Sequence, residues 1–376
     1  MRIPRAGLEE APLVRRRTVL GSLAGLVALG ARGYAETGRT PYEDNPDDLY
    51  EAVPHHPAVM LEAGERRVRV VFAEGAPGLD RALVLDWVRR GIAATTAYYG
   101  VFPMAEYTLF LIAEPGARVG HATTWGYNGS ITRQHVGVAT TKATFDDDWI
   151  LVHEMVHCAF PDLPRRALWL QEGNATWVEP VARVRAGQLP ASEIWRQAID
   201  GLPRGKAAAD DGGMDGTLEH GRLYWGGAAF WLEAEIAIFE ATGGRKTLRD
   251  ALIAINRASG GNVVDWSPEQ TMQAGDAAIG QPVLARLYTR WARTPVVVDE
   301  ARLFARLGVR RTEGRGVAYD AAAPLAALTR RIDAGGWGGR IGPPRQVPRC
   351  DPRLHLLFAE GAPDAASRSS RTGAKP

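Results

Sequence analysis

Hydrophobic positions change their spacing partway along the chain. Arg67 to Phe72 alternates polar with apolar residues and is rich in valine, the signature of a strand. Leu79 to Tyr99 carries apolar residues at helical intervals until Gly100, which predicts a helix ending there. Tyr107 to Ile112 reads as a second strand. Thr124 to Ala139 holds two β-prone runs around Asn128-Gly129, the strongest short hairpin signal. Beyond Asp146 the period becomes helical, with segments predicted at 147–159, 165–184, 222–241, 246–258 and 281–293. Strands first and helices afterwards predict an α+β class, an N-terminal mixed β-sheet with a helix followed by a mainly α-helical part.

The ends of the chain follow neither period. Arg15, Arg16 and Arg17 precede an apolar run from Thr18 to Ala31 that is short for a bilayer span, and Gly33-Tyr34-Ala35 resembles a signal-peptidase site. Residues 1–35 therefore read as a signal peptide of the twin-arginine type, and the expected location is periplasmic or secreted. An ordinary secretory signal and an uncleaved membrane anchor are the alternatives; with cleavage, no stable membrane span is expected. Residues 36–60, with Pro41, Pro46, Pro54 and Pro57, read as an extended lead-in. Gly201 to Gly216 reads as a surface loop, and 311–376 as a C-terminal extension whose last dozen residues lack the means to pack. No internal repeat is visible.

Charge narrows the function. The 376 residues are 45% hydrophobic, enough for a sizeable core. Residues 1–35 carry six Arg and two Glu, so without them the net charge moves from +2 to −2. Such a balance gives no concentrated basic surface, and nucleic acid is not an expected partner. Cys158 and Cys350, the only cysteines, allow one disulfide in an oxidising compartment. Cys158 can equally be a small buried residue packed behind the site described next.

The chemistry concentrates in Trp149-Ile-Leu-Val-His153-Glu154-Met-Val-His157-Cys-Ala-Phe160. Residues four apart share one helix face, so His153 and His157 can reach one metal ion, and Glu154 lies beside that face. Asp146, Asp147 or Asp148 can cap the helix. Three ionisable groups among Trp, Ile, Leu, Val, Met and Phe would be desolvated at a cost of several kcal/mol each unless partnered, and a zinc ion partners all three. Histidines hydrogen-bonded inside a core are the plainer alternative. A third ligand is available: Pro161 and Pro164 end the first helix, a second begins near Arg165, and Glu172 stands two turns into it. Gly173 follows, a costly residue inside a helix unless close approach demands it.

His153-Glu-Met-Val-His157 followed by Trp169-Leu-Gln-Glu172-Gly, with Glu179 seven residues on, resembles the gluzincin metallopeptidases, the thermolysin-like group that includes the aminopeptidase N and glycyl aminopeptidase families. The resemblance implies a thermolysin-like zincin catalytic domain, here residues 61–310 (strand-rich 61–145, helical 146–310). It implies zinc held by His153, His157 and Glu172, with Glu154 as general base. It also implies that Glu179 orients a zinc-bound histidine; as a residue before Pro180, Glu179 can equally be an exposed helix position. Gly221-Arg-Leu-Tyr224-Trp-Gly-Gly227 resembles the segment whose tyrosine stabilises the oxyanion, which implies that role for Tyr224. A tyrosine packed with Trp225, Phe230 and Trp231 is the alternative. His220 is a weaker substitute for the role, and His121 and His135 have no motif around them.

The sequence also departs from the family. The interval from His157 to Glu172 is shorter than in the aminopeptidase N family, and the amine-gripping glycine-alanine-methionine-glutamate-asparagine strand is missing. Gln134 to Thr140 stands in its place, read as an edge strand on which an extended peptide docks. The expected activity is zinc-dependent hydrolysis of peptide bonds in a peptide or protein substrate. The alternative is a catalytically silent, metal-containing module that binds cell-wall or protein partners.

Overall fold

The structure, a computed structural model, describes residue 42 and residues 45–333 apart from 208–210 and 315. The signal segment 1–35, Cys350 and the stretch from Pro343 to Pro376 lie outside the described residues.

A helix opens the fold where an extended lead-in was expected. In α1 (Pro46–Ala52) the Asn45 side chain accepts from the Asp47 N–H, and Pro46 takes the first helical position. Proline needs no donor there and its fixed φ suits the helix, so a residue read as a breaker is a starter. The strands β1 (Ala58–Ala63) and β2 (Arg66–Phe72) pair antiparallel. The helix α2 (Arg81–Tyr99), capped by Asp80 and ended by Gly100 at φ 87°, crosses over to β3 (Glu106–Glu114), parallel to β2. Next come β4 (Val119–Trp125) and β5 (Ile131–Gly137), an antiparallel pair. Their connection spans residues 126–130, and Gly129 adopts φ 99° as the hairpin requires.

The sheet runs β1-β2-β3-β5-β4. This overturns one expectation: β5, which contains Gln134 and His135, is flanked by β3 and β4, and the edge is β4. The reason is non-local. β5 pairs in parallel with β3, which leaves the intervening strand only the outside position.

The predicted helix 147–159 is divided. After α3 (Lys142–Asp147), Asp148 is extended and its carboxylate accepts from the Ile150 and Leu151 N–H groups, starting α4 (Ile150–Cys158). Asp148 is thus the capping aspartate. The helix α5 (Leu168–Arg185) follows a single 3₁₀ turn. The remaining helices are α6 (Ser192–Gly201), α7 (Gly227–Ala241), α8 (Leu248–Ser259), α9 (Pro268–Ile279), α10 (Val283–Arg293), α11 (Glu300–Leu307) and, after the small hairpin β6 (Val309–Arg311) and β7 (Val317–Tyr319), α12 (Ala326–Asp333). No helix among the described residues is long and apolar enough to cross a membrane.

Two cores sandwich α4. Towards the sheet, Leu151 and Met155 pack with Val68, Val70, Leu109 and Leu111, and Gly91 of α2 lets Leu151 approach to 3.0 Å of where a Cβ would stand. Towards the helices, Val152, Val156 and Phe160 join Trp169, Phe230, Trp231 and Trp291. Edge-to-face pairs hold this group, including Trp169 with Phe230 at 5.0 Å. The buried Trp231 indole donates to the Leu170 carbonyl at 2.9 Å, so its polar atom is satisfied within the core.

Candidate metal centre

The centre is built where α4 meets α5. Proline at 161 and 164 ends the first helix, and the link is pinned from both sides: the Asp162 N–H donates to Val264 O and the Trp266 N–H to Asp162 O, each at 2.9 Å. Asn262 N–H donates to Cys158 O at 3.0 Å, and the Asn256 amide to Ala159 O at 2.9 Å. The end of α4 and the link that follows it are therefore fixed by hydrogen bonds.

Across this corner, the Glu172 Oε2 lies 3.2 Å from His153 Nε2 and 3.4 Å from His157 Nε2. His153 and Glu172 are buried, and His157 is 11% exposed at its side chain. The three donor atoms lie within 4.8 Å of one another and form a group suited to a metal ion. Zinc bonds of about 2.0–2.1 Å in tetrahedral geometry separate ligand atoms by about 3.4 Å, so the spacing fits that ion. Cys158 is outside this group; burial pushes its thiol up to about 12, and the neutral S–H donates to Glu154 O at 3.3 Å.

Electrostatics point the same way. Burial alone would raise the Glu172 carboxyl, yet His157 and His153 hold it well below the usual carboxylate range. Burial would lower His157, and the Glu172 charge outweighs it and raises the imidazole. Glu172 is thus an anion held in a low-dielectric corner by positive charge, the condition a bound cation satisfies.

Glu154 is buried one position along α4, and its Oε2 accepts from the Thr124 hydroxyl of edge strand β4 at 2.7 Å. Thr132 of β5 lies 2.6 Å from the same hydroxyl. No sequence signal marks Thr124, because the contact joins a strand and a helix 30 residues apart.

Tyr224 also arrives here. Its ring stacks on His153 at 5.6 Å and 8°, with the exposed His220 stacked at 4.3 Å on Tyr224. Arg222–Gly226 forms a π-helical turn, a local widening that recurs at functional sites. Burial and then the charges of Glu172 and Glu154 raise the Tyr224 hydroxyl far above its ordinary value, so it remains a neutral O–H donor.

Glu179 differs from both readings of the sequence. It is buried, and its carboxylate binds Arg183, one turn on, at 2.9 Å instead of a histidine. Arg183 in turn donates to Asp146 O at 2.8 Å. Seven residues from Glu172 carry the chain two turns away from the metal ligands, to the approach of α4. The pair ties α5 to the segment entering α4, while His153 Nδ1 is buried without a hydrogen-bond partner. His135 is buried against Glu114 at 3.2 Å and stacks on His121 at 4.4 Å, away from the centre.

No protein-family model matches the sequence, and no curated protein does. Among solved structures, the chain is similar to an M1 zinc metallopeptidase from Deinococcus radiodurans at 16% identity and a TM-score of 0.42, covering 64% of this chain and 52% of that one. It is also similar to an aminopeptidase N family protein from Idiomarina loihiensis at 12% identity and a TM-score of 0.48, covering 67% and 49%. The chain spans about half the length of these structures, and the likeness is distant and partial.

Proposed function

We propose that this chain is a zinc-dependent peptidase acting outside the cytoplasm, with His153, His157 and Glu172 as metal ligands and Glu154 as general base. The observation that carries the reading is the convergence of the three donor atoms within 4.8 Å, with the Glu154 carboxylate fixed beside them by Thr124. A site serving only to hold a structural ion has no use for that second, separately anchored carboxylate.

Zinc, when bound, supplies a Lewis acid that polarises the scissile carbonyl and makes a water nucleophilic near neutral pH. Glu154 takes the proton of the attacking water and passes it to the leaving amine. Tyr224, kept protonated, donates its O–H to the oxyanion as the carbonyl becomes tetrahedral. The main-chain groups of edge strand β4 offer an extended peptide a strand to pair with, taking over the docking role first read for β5.

The test compares the wild type with Glu154→Gln for bound zinc and for cleavage of a mixed peptide library. Zinc in both proteins with cleavage in the wild type alone supports the reading. Zinc in both with cleavage in neither identifies a silent metal-binding module, and a wild type without stoichiometric metal sinks the proposal.

A further inference from the structure

A second site stands apart from the metal centre. A cavity of about 450 Å³ opens between α2, α5, α7, the start of α8 and α12. Arg185 on its wall lies 13 residues beyond Glu172 along α5, about 20 Å at 1.5 Å per residue.

Five cationic side chains line it: Arg185, Arg245, Lys246, Arg249 and Arg331. Two acids accompany them, each accepting from backbone at the start of α8, and the second oxygen of Asp250 lies 3.8 Å from Lys246. Glu235 accepts from the Leu248 N–H at 3.1 Å, and Asp250 accepts from the Thr247 N–H at 2.8 Å in a capping box. The Thr247 and Leu248 amides at the start of α8 are therefore occupied, and the cavity's character comes from its side chains.

The cations are held in place by the fold. Arg249 donates to Tyr98 O, and Arg331 donates to Gly244 O and Arg245 O, which steadies the loop bearing Arg245 and Lys246. Arg185 rests over the Tyr98 ring at 5.9 Å, and its Nε is buried without a hydrogen-bond partner. Burial, then Arg249 and Arg331, bring the Arg185 guanidinium down to about 10. Such crowding of like charge in a partly desolvated space is unfavourable unless an anion enters it.

We propose that this cavity binds a phosphate-type oxyanion, free or as the terminal monoester of a larger molecule, with Arg185 and the Arg245–Lys246 loop as its main holders. Guanidinium forks match tetrahedral oxyanions through paired N–H donors, and a lysine adds a point charge.

Calorimetric titration of the full chain with inorganic phosphate tests this. We expect one saturable site, retained after zinc chelation and weakened at least tenfold in Arg185→Gln and in the exposed-loop double variant Arg245→Gln/Lys246→Gln. The loop variant keeps the test decisive if Arg185→Gln folds poorly. Sedimentation with vesicles of phosphatidic acid in phosphatidylcholine, lost in the same variants, identifies a lipid monoester as the source; phosphate binding without sedimentation identifies a soluble one. Absence of saturable binding to either probe, binding that disappears with the zinc, or binding unchanged in the loop variant overturns the proposal.

Discussion

Gly173, the residue after Glu172, lies directly against Gly227, the first residue of α7: a methyl group built on Gly173 would stand 2.2 Å from the Gly227 carbonyl carbon. One built on Gly227 would stand 2.2 Å from Trp169 O. The two glycines let α5 and α7 touch through their backbones, which brings Glu172 and Tyr224 to the same centre.

Gly173→Ala should therefore destabilise the protein although alanine is the better helix former. The propensity gain is about 1 kcal/mol, whereas overpacking costs about 1–3 kcal/mol and here meets backbone. We expect a net loss seen in urea unfolding, together with weaker zinc binding. A variant as stable as the wild type with unchanged zinc affinity would contradict the account.

Thr124→Val keeps the shape of the strand and removes the hydroxyl that holds Glu154. A hydrogen bond to a charged group contributes about 1.5–3 kcal/mol, so peptide-cleavage kcat should fall roughly tenfold to a hundredfold, with KM and zinc content little changed. Equal loss in Thr124→Ser, which retains the donor, would argue against an orienting role.

Tyr224→Phe should lower kcat by about a hundredfold while leaving KM and bound zinc near wild type, the pattern of a donor used mainly in the transition state. If KM alone rises, the ring serves substrate binding instead.

Burial pushes the Glu235 carboxyl up to about 7 despite its bond from Leu248 N–H. Its folded value thus exceeds the ordinary 4.5, and the folded state binds more protons in between. The contribution is fully present below about 4.5 and is lost as pH rises to about 7. Other buried acids titrate in the same range, so the quantity to measure is wild type minus Glu235→Gln in phosphate-free buffer. That difference should fall by about 3 kcal/mol between pH 4.5 and 8; a flat difference would refute the assignment.

What the sequence revealed follows the range of the interactions. His153, Glu154 and His157 share one helix, and Glu172 sits just past a short proline-bounded link, so their convergence is a local matter of helix period. Thr124 reaches Glu154 only through the sheet's strand order, which spacing along the chain does not encode; the same blind spot made β5 look like the edge. Glu179 was misread because its partner Arg183 lies on its own helix, where a buried i,i+4 pair resembles an exposed one in sequence. Pro46 was misread because proline marks helix starts as well as breaks.

The widened turn at Arg222–Gly226 makes chain length itself a functional variable. The Gly227 N–H bonds back to Arg222 O across five residues, one more than an α turn holds. Deleting one of its residues would restore ordinary helical winding, leaving the chain on either side nearly in phase but turning the residues inside the turn, Tyr224 among them, about the axis. Tyr224 would leave the face of His153 with every side chain chemically intact, so shortening the chain here disarms the centre as surely as replacing a ligand.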